Sequence, residues 1–488
     1  MACVVDSDSN GRHLNTNFEV LSQIVSSMEN LSWFRLQVLA HDVVLDQHAA
    51  YDLRGAGPCK KPASQASIAM QTGVQCPERL VLSSPLQTCL ECGASIRKER
   101  VIDARLYGLD GVHPLGHWTK KCSNRSCATL HHYNYRWVDG NKINSSRASD
   151  LDFVFVNPKT VFSRSFLDYH GALQFRGHIS IHALNFAQKE VLWKDENEHA
   201  RWRLEYSTAQ LYLNVLQVGD NMWCDLPDKD MEKKILSICL DKPLADDFVR
   251  EYHKWFQCNA ITAKEGKSMY EIVIDGHEKV SSRCSIDPPA HGGRPRKDGT
   301  SKRRTNGWFM AVHPDSGLII GVQEMIHPEN NDLAVGMLED AAELLPALDC
   351  IIYDRMCCAL QAVRKSDMLK DIKYFCVDKF HAHGHAKTCP CSPLVHKKLD
   401  KRLREVNTSA AEQTFAWFRN YARTFNTMSP HTHFFYVLFY VQKHNELIRK
   451  NNVSHLSPFG SGRKRRHQHP RRSVQRPRSR KLFRFIEE

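Results

Sequence analysis

Three segments between Leu348 and Asn426 decide the fold: LDCIIYDRMCC at 348–358, KYFCVDKFHAHGH at 373–385 and VNTSAAEQTFAWFRNYARTFN at 406–426. The first contains an apolar run that predicts a buried strand, with Asp354 at its carboxyl end. The second predicts another strand, which ends in Asp378. In the third, three helix-capping side chains precede Glu412, which we expect in the first turn of a helix. Strand-end acids lie where α/β proteins bind their ligands.

A third acid fits this arrangement from upstream. The β-branched run Glu271-Ile272-Val273-Ile274 is followed by Asp275-Gly276. Asp275, Asp354 and Glu412 could converge on a pair of Mg²⁺ or Mn²⁺ ions, which prefer carboxylates and phosphate oxygens. Each acid taken singly is more often an ordinary strand or helix terminus. Their order within one region favours phosphodiester chemistry.

The segment from about residue 271 to 445 resembles the KDZ (Kyakuja, Dileera, Zisupton) transposases that carry associated cysteine clusters. The resemblance rests on six stretches of sequence: Ile274-Asp275-Gly276, Asn306-Gly307-Trp308-Phe309-Met310, Tyr353-Asp354-Arg355, Asp378-Lys379-Phe380-His381-Ala382-His383, Asn407-Thr408-Ser409-Ala410-Ala411-Glu412, and the run from Trp417 to Asn426. It implies an RNase H-like fold and a D-D-E catalytic site at Asp275, Asp354 and Glu412. Asp378-x-x-His381 is similar to an element that follows the second catalytic aspartate in several transposase superfamilies, which implies that His381 supports the site. Some relatives insert a further cysteine cluster after the first aspartate, but no cysteine lies between Cys284 and Cys350 here.

A second interpretation of the same region is a structural zinc site. Its candidate ligands are His383, His385, Cys389 and Cys391, with Cys357 or Cys358 as additional thiols. The spacing matches no single standard zinc motif. Zinc binding and the supporting role of His381 therefore stand as open alternatives.

A cysteine cluster also lies in the amino-terminal half. Cys89 and Cys92 have the spacing of a zinc knuckle, and Cys122 and Cys127 form a second, wider pair. Four thiolates predict a closed structural zinc site, with Cys76, His131 and His132 as reserve ligands. Seventeen cysteines in a chain with no recognisable secretion signal favour zinc over disulfides.

The net charge of +13 is unevenly distributed along the chain. Eleven Lys or Arg residues and no acid lie between Arg463 and Arg484. Such a tail is typical of segments that bind nucleic-acid phosphates or a nuclear import receptor. The alternative is a run of charged residues that contacts only solvent. The candidate nucleic-acid-binding residues are Lys120, Lys121, Arg294, Arg296, Lys297, Arg303, Arg304, Arg463, Lys464, Arg465 and Arg466.

We predict a mixed α/β protein in which a zinc-ribbon-like cysteine cluster and a mainly helical region precede an RNase H-like domain. The predicted divisions are a helical segment at 1–54, a linker at 55–75, a zinc-binding domain at 76–140, a mixed, mainly helical region at 151–262, the transposase domain at 268–455 and a basic tail at 456–488. No apolar run is long enough to span a bilayer, so we expect no membrane association. The expected location is the nucleus.

Three functions remain open at this stage. The first is a DNA transposase that cuts and transfers strands. The second is a domesticated descendant that binds DNA or chromatin without cleavage, and the third is an RNase H-like nuclease acting on RNA–DNA hybrids. The expected cofactors are structural Zn²⁺ and catalytic Mg²⁺ or Mn²⁺. DNA is the expected partner, and a second copy of the chain is a further candidate.

Overall fold

The computed structural model describes residues 80–192, 196–222, 245–283 and 304–451. These residues form two compact units. One contains the described residues up to Trp255 together with Arg423–Phe439, and the other contains those of Phe256–Ala422 and of Tyr440–Glu488. Each unit combines a β-sheet with helices, so the predicted mixed α/β class is confirmed. The predicted helical segment at 1–54, the linker at 55–75 and the basic tail at 456–488 lie outside the described residues.

The first unit is built on an eight-stranded mixed sheet. Its strands are β1 (Leu80–Ser83), β2 (Ile96–Gly108), β3 (Gly111–Cys122), β4 (Leu130–His131), β5 (Tyr135–Val138), β6 (Asn141–Asn144), β7 (Phe153–Asn157) and β8 (Thr160–Ser163). Their order is β6-β5-β4-β3-β2-β8-β7, and β1 pairs in parallel with β3 off this path. Because β8 pairs with β2, the sheet that carries the cysteine cluster continues past residue 140.

Helices α1 (Arg164–Gly177), α2 (Ile181–Leu192), α3 (Glu196–Met222) and α4 (Ala245–Asn259) follow this sheet in the chain. Helix α1 begins at Arg164 because the Ser163 hydroxyl accepts a hydrogen bond from the Phe166 N–H at 3.2 Å. Trp202 and Tyr206 of α3 stack with ring centroids 4.9 Å apart and pack against Phe162 of β8. This aromatic cluster joins α1 and α3 to the sheet.

The second unit contains a five-stranded sheet in the order β11-β10-β9-β12-β13. The strands are β9 (Glu271–His277), β10 (Trp308–Val312), β11 (Ile319–Glu324), β12 (Cys350–Tyr353) and β13 (Tyr374–Cys376). Strand β10 is antiparallel to both of its neighbours, β9 and β11, whereas β9, β12 and β13 run parallel. In the chain, β9, β10 and β11 are followed by a helix and then by β12.

The helices that follow Asn259 are α5 (Ala263–Gly266), α6 (Asn331–Leu344), α7 (Met356–Val363), α8 (Lys397–Arg402), α9 (Ala410–Phe418), α10 (Ala422–Phe425) and α11 (Pro430–Asn451). Helix α6 is capped by Asn330, whose side-chain oxygen accepts a hydrogen bond from the Leu333 N–H. Ile272, Ile274 and Ile351 of the sheet pack with buried residues of α6 and α7. Within the described residues, no helix combines the length and the apolar character that crossing a membrane requires.

Candidate active site

Asp275 and Asp354 lie at the same edge of the second sheet. Strands β9 and β12 are parallel neighbours with Ile274 opposite Tyr353, and each aspartate is the next residue of its chain segment. The carboxyl end of β12 and the neighbouring part of β9 therefore place two carboxylates side by side. The structure thus brings together two acids that lie 79 positions apart in the sequence.

The environment of Asp275 opposes its ionisation. Burial, together with the charges of Asp354, Glu329 and Glu412, raises the pKa of Asp275 to about 7. A single hydrogen bond, from the Gly276 N–H at 2.8 Å, works in the opposite direction. A cation at this edge would remove the repulsion and favour the charged carboxylate.

Asp354 carries an unsatisfied oxygen. Within the described part of the chain, its buried Oδ1 has no hydrogen-bond partner. Burial raises the pKa of Asp354, although the nearby charge of His381 partly offsets the effect. A buried carboxylate oxygen without a partner is costly unless a ligand reaches it.

Glu412 reaches the same edge from the first turn of α9. Helix α9 packs against β9, where the His277 and Phe415 rings stack with centroids 4.8 Å apart. The predicted side-chain cap of this helix is absent: Ser409 occupies the cap position without a side-chain cap hydrogen bond. The Thr408 hydroxyl instead accepts from the Lys379 N–H at 3.2 Å, which ties the start of α9 to the turn after Asp378.

Asp378 and His381 form a fixed pair beside Glu412. One Asp378 oxygen accepts from the backbone N–H groups of Phe380 and His381, and the other lies 2.7 Å from His381 Nδ1. Burial lowers the pKa of His381, but the Asp378 hydrogen bond and the charges of Asp378, Asp354 and Glu412 outweigh it and raise the pKa. Glu412 Oε1 is 3.6 Å from the same Nδ1 atom. Asp378 therefore orients a histidine whose protonated form the neighbouring acids favour.

Glu329 is a fifth carboxylate of this edge, and the sequence analysis missed it. Its side chain accepts a hydrogen bond from the Tyr353 hydroxyl, and one of its oxygens lies 2.7 Å from the point where a Cβ on Gly276 would stand. Burial raises the pKa of Glu329, and the charge of Asp354 adds to the effect. Glu329 follows no strand, and its only local signal is its position just before the Asn330 cap.

The acids do not form one tight group. Asp378, His381 and Glu412 have ligand atoms within 4.8 Å of one another, whereas Asp275, Asp354 and Glu412 are not gathered to that degree among the described residues. Two-ion sites distribute their ligands around ions about 3.5–4 Å apart, so a looser arrangement is compatible with a pair of ions.

A comparison with protein-family models finds a match for part of this chain. Residues 233–445 match the family model of the Kyakuja-Dileera-Zisupton transposases. The resemblance seen in the sequence is therefore confirmed, and all the acids described above lie inside the matching KDZ segment. No curated protein matches the chain.

The amino-terminal cysteines lie outside the KDZ segment and come together in the first unit. Cys89, Cys92, Cys122 and Cys127 have sulfur atoms within 4.8 Å of one another. The Cys89–Cys127 and Cys92–Cys122 sulfur separations are 3.7 and 3.4 Å. Tetrahedral zinc with zinc–sulfur bonds of about 2.3 Å would place its sulfurs about 3.8 Å apart. The four thiols could bind a metal such as zinc.

Neighbouring side chains hold this cluster in place. Glu91, between the two knuckle cysteines, pairs with the buried Arg136 at 2.8 Å. His131 Nε2 lies 3.3 Å from Cys89 Sγ, so this reserve ligand contacts the cluster. The Thr129 hydroxyl, with burial opposing it, lowers the pKa of Cys127 to about 7. His132 stacks on Tyr135 instead, and Cys76 lies outside the described residues.

Of the candidate zinc ligands His383, His385, Cys389 and Cys391, only two lie close together with a further thiol. His385 and Cys389 meet Cys357, which follows Asp354 by three residues. His383 is exposed, and Cys391 is buried nearby. Neither His383 nor Cys391 belongs to the close group formed by the described residues.

The candidate nucleic-acid-binding residues fall into different environments. Lys120 is buried, and its ammonium donates to the backbone oxygens of Ser84 and Leu86 at 2.5 and 2.9 Å, so it stabilises the first unit. Lys121 is exposed, with its Nζ 3.9 Å from a Glu99 oxygen. Arg304 donates to the Ser281 carbonyl at 3.1 Å. The remaining candidates lie outside the described residues: Arg294, Arg296, Lys297, Arg303, Arg463, Lys464, Arg465 and Arg466.

Proposed function

We propose that this chain is a DNA transposase, or a protein derived from one, that cuts phosphodiester bonds at the edge formed by Asp275, Asp354 and Glu412. One observation carries the proposal: inside the segment that matches a transposase family, carboxylates from two parallel strands and a helix interact at one sheet edge. The chain order of three strands, a helix and a strand agrees with the RNase H-like core that the family resemblance implies. The assignment of the D-D-E triad is part of the proposal.

The residues at this edge fit a hard divalent cation. Asp354 presents a buried oxygen without a partner among the described residues, and Asp275 is held near its neutral form by burial and by negative charge. Both features favour binding of Mg²⁺ or Mn²⁺, which prefer carboxylate oxygens. Asp275, Asp354 and Glu412 would hold the metal, which when bound supplies an activated water and charge stabilisation.

In its protonated form, which the neighbouring acids favour, His381 would bring a positive charge to this site. Its Nδ1 is engaged by Asp378 at 2.7 Å, which fixes the orientation of the ring. The opposite ring nitrogen, Nε2, then remains for contact with a phosphate oxygen of the substrate. A protonated His381 is a hydrogen-bond donor at both ring nitrogens, so Asp378 and the phosphate can be bound together. Asp378 is therefore a positioning residue.

Strand transfer would use the same edge. Cleavage by water leaves a 3′-hydroxyl on the cut strand, and in transposition this hydroxyl attacks a phosphodiester of the target DNA. The oxygen of the broken target bond leaves and takes up a proton. The thiol cluster of the first unit and the basic stretches of the chain supply candidate DNA contacts outside this edge.

The test is metal-dependent nicking of supercoiled duplex DNA by the full chain. Asp275→Asn, Asp354→Asn and Glu412→Gln keep the side-chain volume and remove a charge that the metal requires, so cleavage should fall at least about 100-fold. DNA binding should persist. Asp315→Asn is the matched control, because Asp315 lies exposed in the turn between β10 and β11 and should be silent.

The outcomes separate the three functions. Full activity of Glu412→Gln would refute the triad as assigned. DNA binding without metal-dependent cleavage would favour a domesticated DNA-binding protein. Preferential cleavage of RNA–DNA hybrids would favour the RNase H-like nuclease.

A further inference from the structure

We propose that Cys357, His385 and Cys389 bind a structural zinc ion that fastens the segment carrying Asp354 to the segment carrying Asp378 and His381. This site is separate from the carboxylate edge, by which we mean the sheet edge that carries Asp275, Asp354, Glu412 and Glu329. It is also separate from the four-cysteine cluster of the first unit. It takes a borderline-soft divalent cation, because its ligands are two thiolates and one imidazole.

Both nitrogen–sulfur separations at this group match those of tetrahedral zinc. His385 Nδ1 lies 3.5 Å from Cys357 Sγ and 3.6 Å from Cys389 Sγ. Zinc–sulfur bonds of about 2.3 Å and zinc–nitrogen bonds of about 2.0–2.1 Å at the tetrahedral angle separate sulfur from nitrogen by about 3.5–3.6 Å. The two sulfur atoms lie within 4.8 Å of each other, so the three side chains could ligate one zinc ion.

A hydrogen-bond explanation requires one hydrogen to serve both contacts. One imidazole nitrogen carries at most one hydrogen, so Nδ1 could approach both sulfurs only by sharing that hydrogen between them. A metal ion between the three atoms explains both short separations at once. The described residues place no fourth His, Cys, Asp or Glu in the same close group.

The position of the three residues gives the ion a structural role. Cys357 lies in the first turn of α7, three residues after Asp354. His385 closes the short helical turn His381–Gly384, and Cys389 follows four residues later. The Val377 N–H donates to the Cys391 carbonyl at 2.8 Å, so a backbone hydrogen bond already holds this loop against the end of β13. Zinc would cross-link the two segments directly.

The first experiment measures zinc in the purified full chain by elemental analysis. We expect about two equivalents in the wild-type chain, one in each thiol-containing site. Cys357→Ser and Cys389→Ser should each lose one equivalent and lower the melting temperature. Cys358→Ser and His383→Gln are matched controls, because both residues are exposed neighbours of the ligands, and both variants should keep two equivalents.

A second variant keeps the test informative where a serine substitution prevents folding. His385→Cys exchanges the nitrogen ligand for a third thiolate and should retain the metal. In the cobalt-substituted chain, this variant should show stronger sulfur-to-cobalt charge-transfer absorption and shifted d–d bands relative to the wild type.

Two results would overturn the proposal: Cys357→Ser that retains both zinc equivalents, or a cobalt spectrum that His385→Cys leaves unchanged. Both measurements are made without DNA. Their failure is therefore distinguishable from failure of the proposed cleavage activity, on which this zinc site does not depend.

Discussion

At Asp275, burial and like charge act in the same direction, and both favour the protonated acid. Such a group costs stability at neutral pH while it prepares a site for a cation. Asp354 and Glu329 share this property, since burial raises the pKa of both. These buried acids therefore lower stability at neutral pH, and a metal ion bound as proposed would offset that cost.

This trade-off predicts a pH-dependent gain of stability in Asp275→Asn. The pKa of Asp275 is about 7 in the folded chain, above the usual value of about 3.9. The contribution of Asp275 to the free energy of unfolding is therefore most favourable below pH 4 and is lost as the pH rises to about 7. Without divalent metal at pH 8, the variant should be more stable to unfolding than the wild type, by an amount on the order of 1–3 kcal/mol. The difference should shrink towards pH 4.

Thermal unfolding at pH 4 and pH 8, with and without Mn²⁺, provides the measurement. Added metal should raise the melting temperature of the wild type more than that of the variant at pH 8. An equal difference between the two proteins at both pH values would contradict the elevated pKa of Asp275.

Glu329→Gln tests the carboxylate that the sequence did not reveal. Glutamine can still accept from the Tyr353 hydroxyl, so the change removes charge while keeping that contact. With less negative charge beside Asp275, metal should bind more weakly, and the Mn²⁺ concentration for half-maximal nicking should rise several-fold. Activity at saturating Mn²⁺ should largely recover.

Glu339→Gln is the control for this change. Glu339 lies on α6 and accepts a hydrogen bond from Ser366, away from the carboxylate edge. Its substitution should leave the metal requirement unchanged. An unaltered metal requirement in Glu329→Gln would show that Glu329 serves only to hold Tyr353.

At the scale of elements, the knuckle before β2 depends on side chains from other strands of the sheet. Cys122 ends β3 and Cys127 lies in the following turn, so the four thiols join the start and the end of the long β2–β3 hairpin. Arg136 of β5 holds Glu91 within the knuckle. A metal here would cross-link the knuckle to the end of this hairpin.

Cys92→Ser should therefore remove one zinc equivalent and destabilise the first unit, because folding and metal binding are coupled in such sites. Zinc content and tryptophan fluorescence on heating are the measurements, since Trp202 is buried in this unit. Cys258→Ser is the control: Cys258 is exposed and belongs to no metal group of the described residues. A folded wild-type chain without zinc would exclude the site.

Over the whole molecule, positive charge is concentrated at the carboxyl terminus. Deleting residues 463–484 removes eleven positive charges from a chain whose net charge is +13. The salt dependence of DNA binding should become shallower, by about 0.9 in the log–log slope for each DNA phosphate that the tail no longer neutralises. We also expect weaker nuclear accumulation of the deleted chain.

The deletion has an internal control, since zinc content and melting temperature should not change. Fluorescence microscopy of tagged chains and binding titrations at several salt concentrations are the measurements. An unchanged slope together with unchanged localisation would leave the tail without either role.

The local parts of this protein could be predicted from the sequence. Apolar runs at 271–274 and 350–353 became β9 and β12, and the acids at their ends follow directly from chain continuity. The four amino-terminal cysteines were recognisable because ligand spacing within a knuckle is a local property. The family resemblance rested on sequence stretches of the same kind.

Other features were decided only by tertiary structure. Glu329 enters the carboxylate edge because its segment passes Gly276, and Cys357 meets His385 because α7 and the turn after Asp378 converge. Lys120 was expected to bind nucleic acid but is buried under two backbone carbonyls. The pattern of one segment carries no information on which distant segment will pack against it. Contacts between distant segments determine burial, and burial determines whether a charge meets solvent, a partner or a metal.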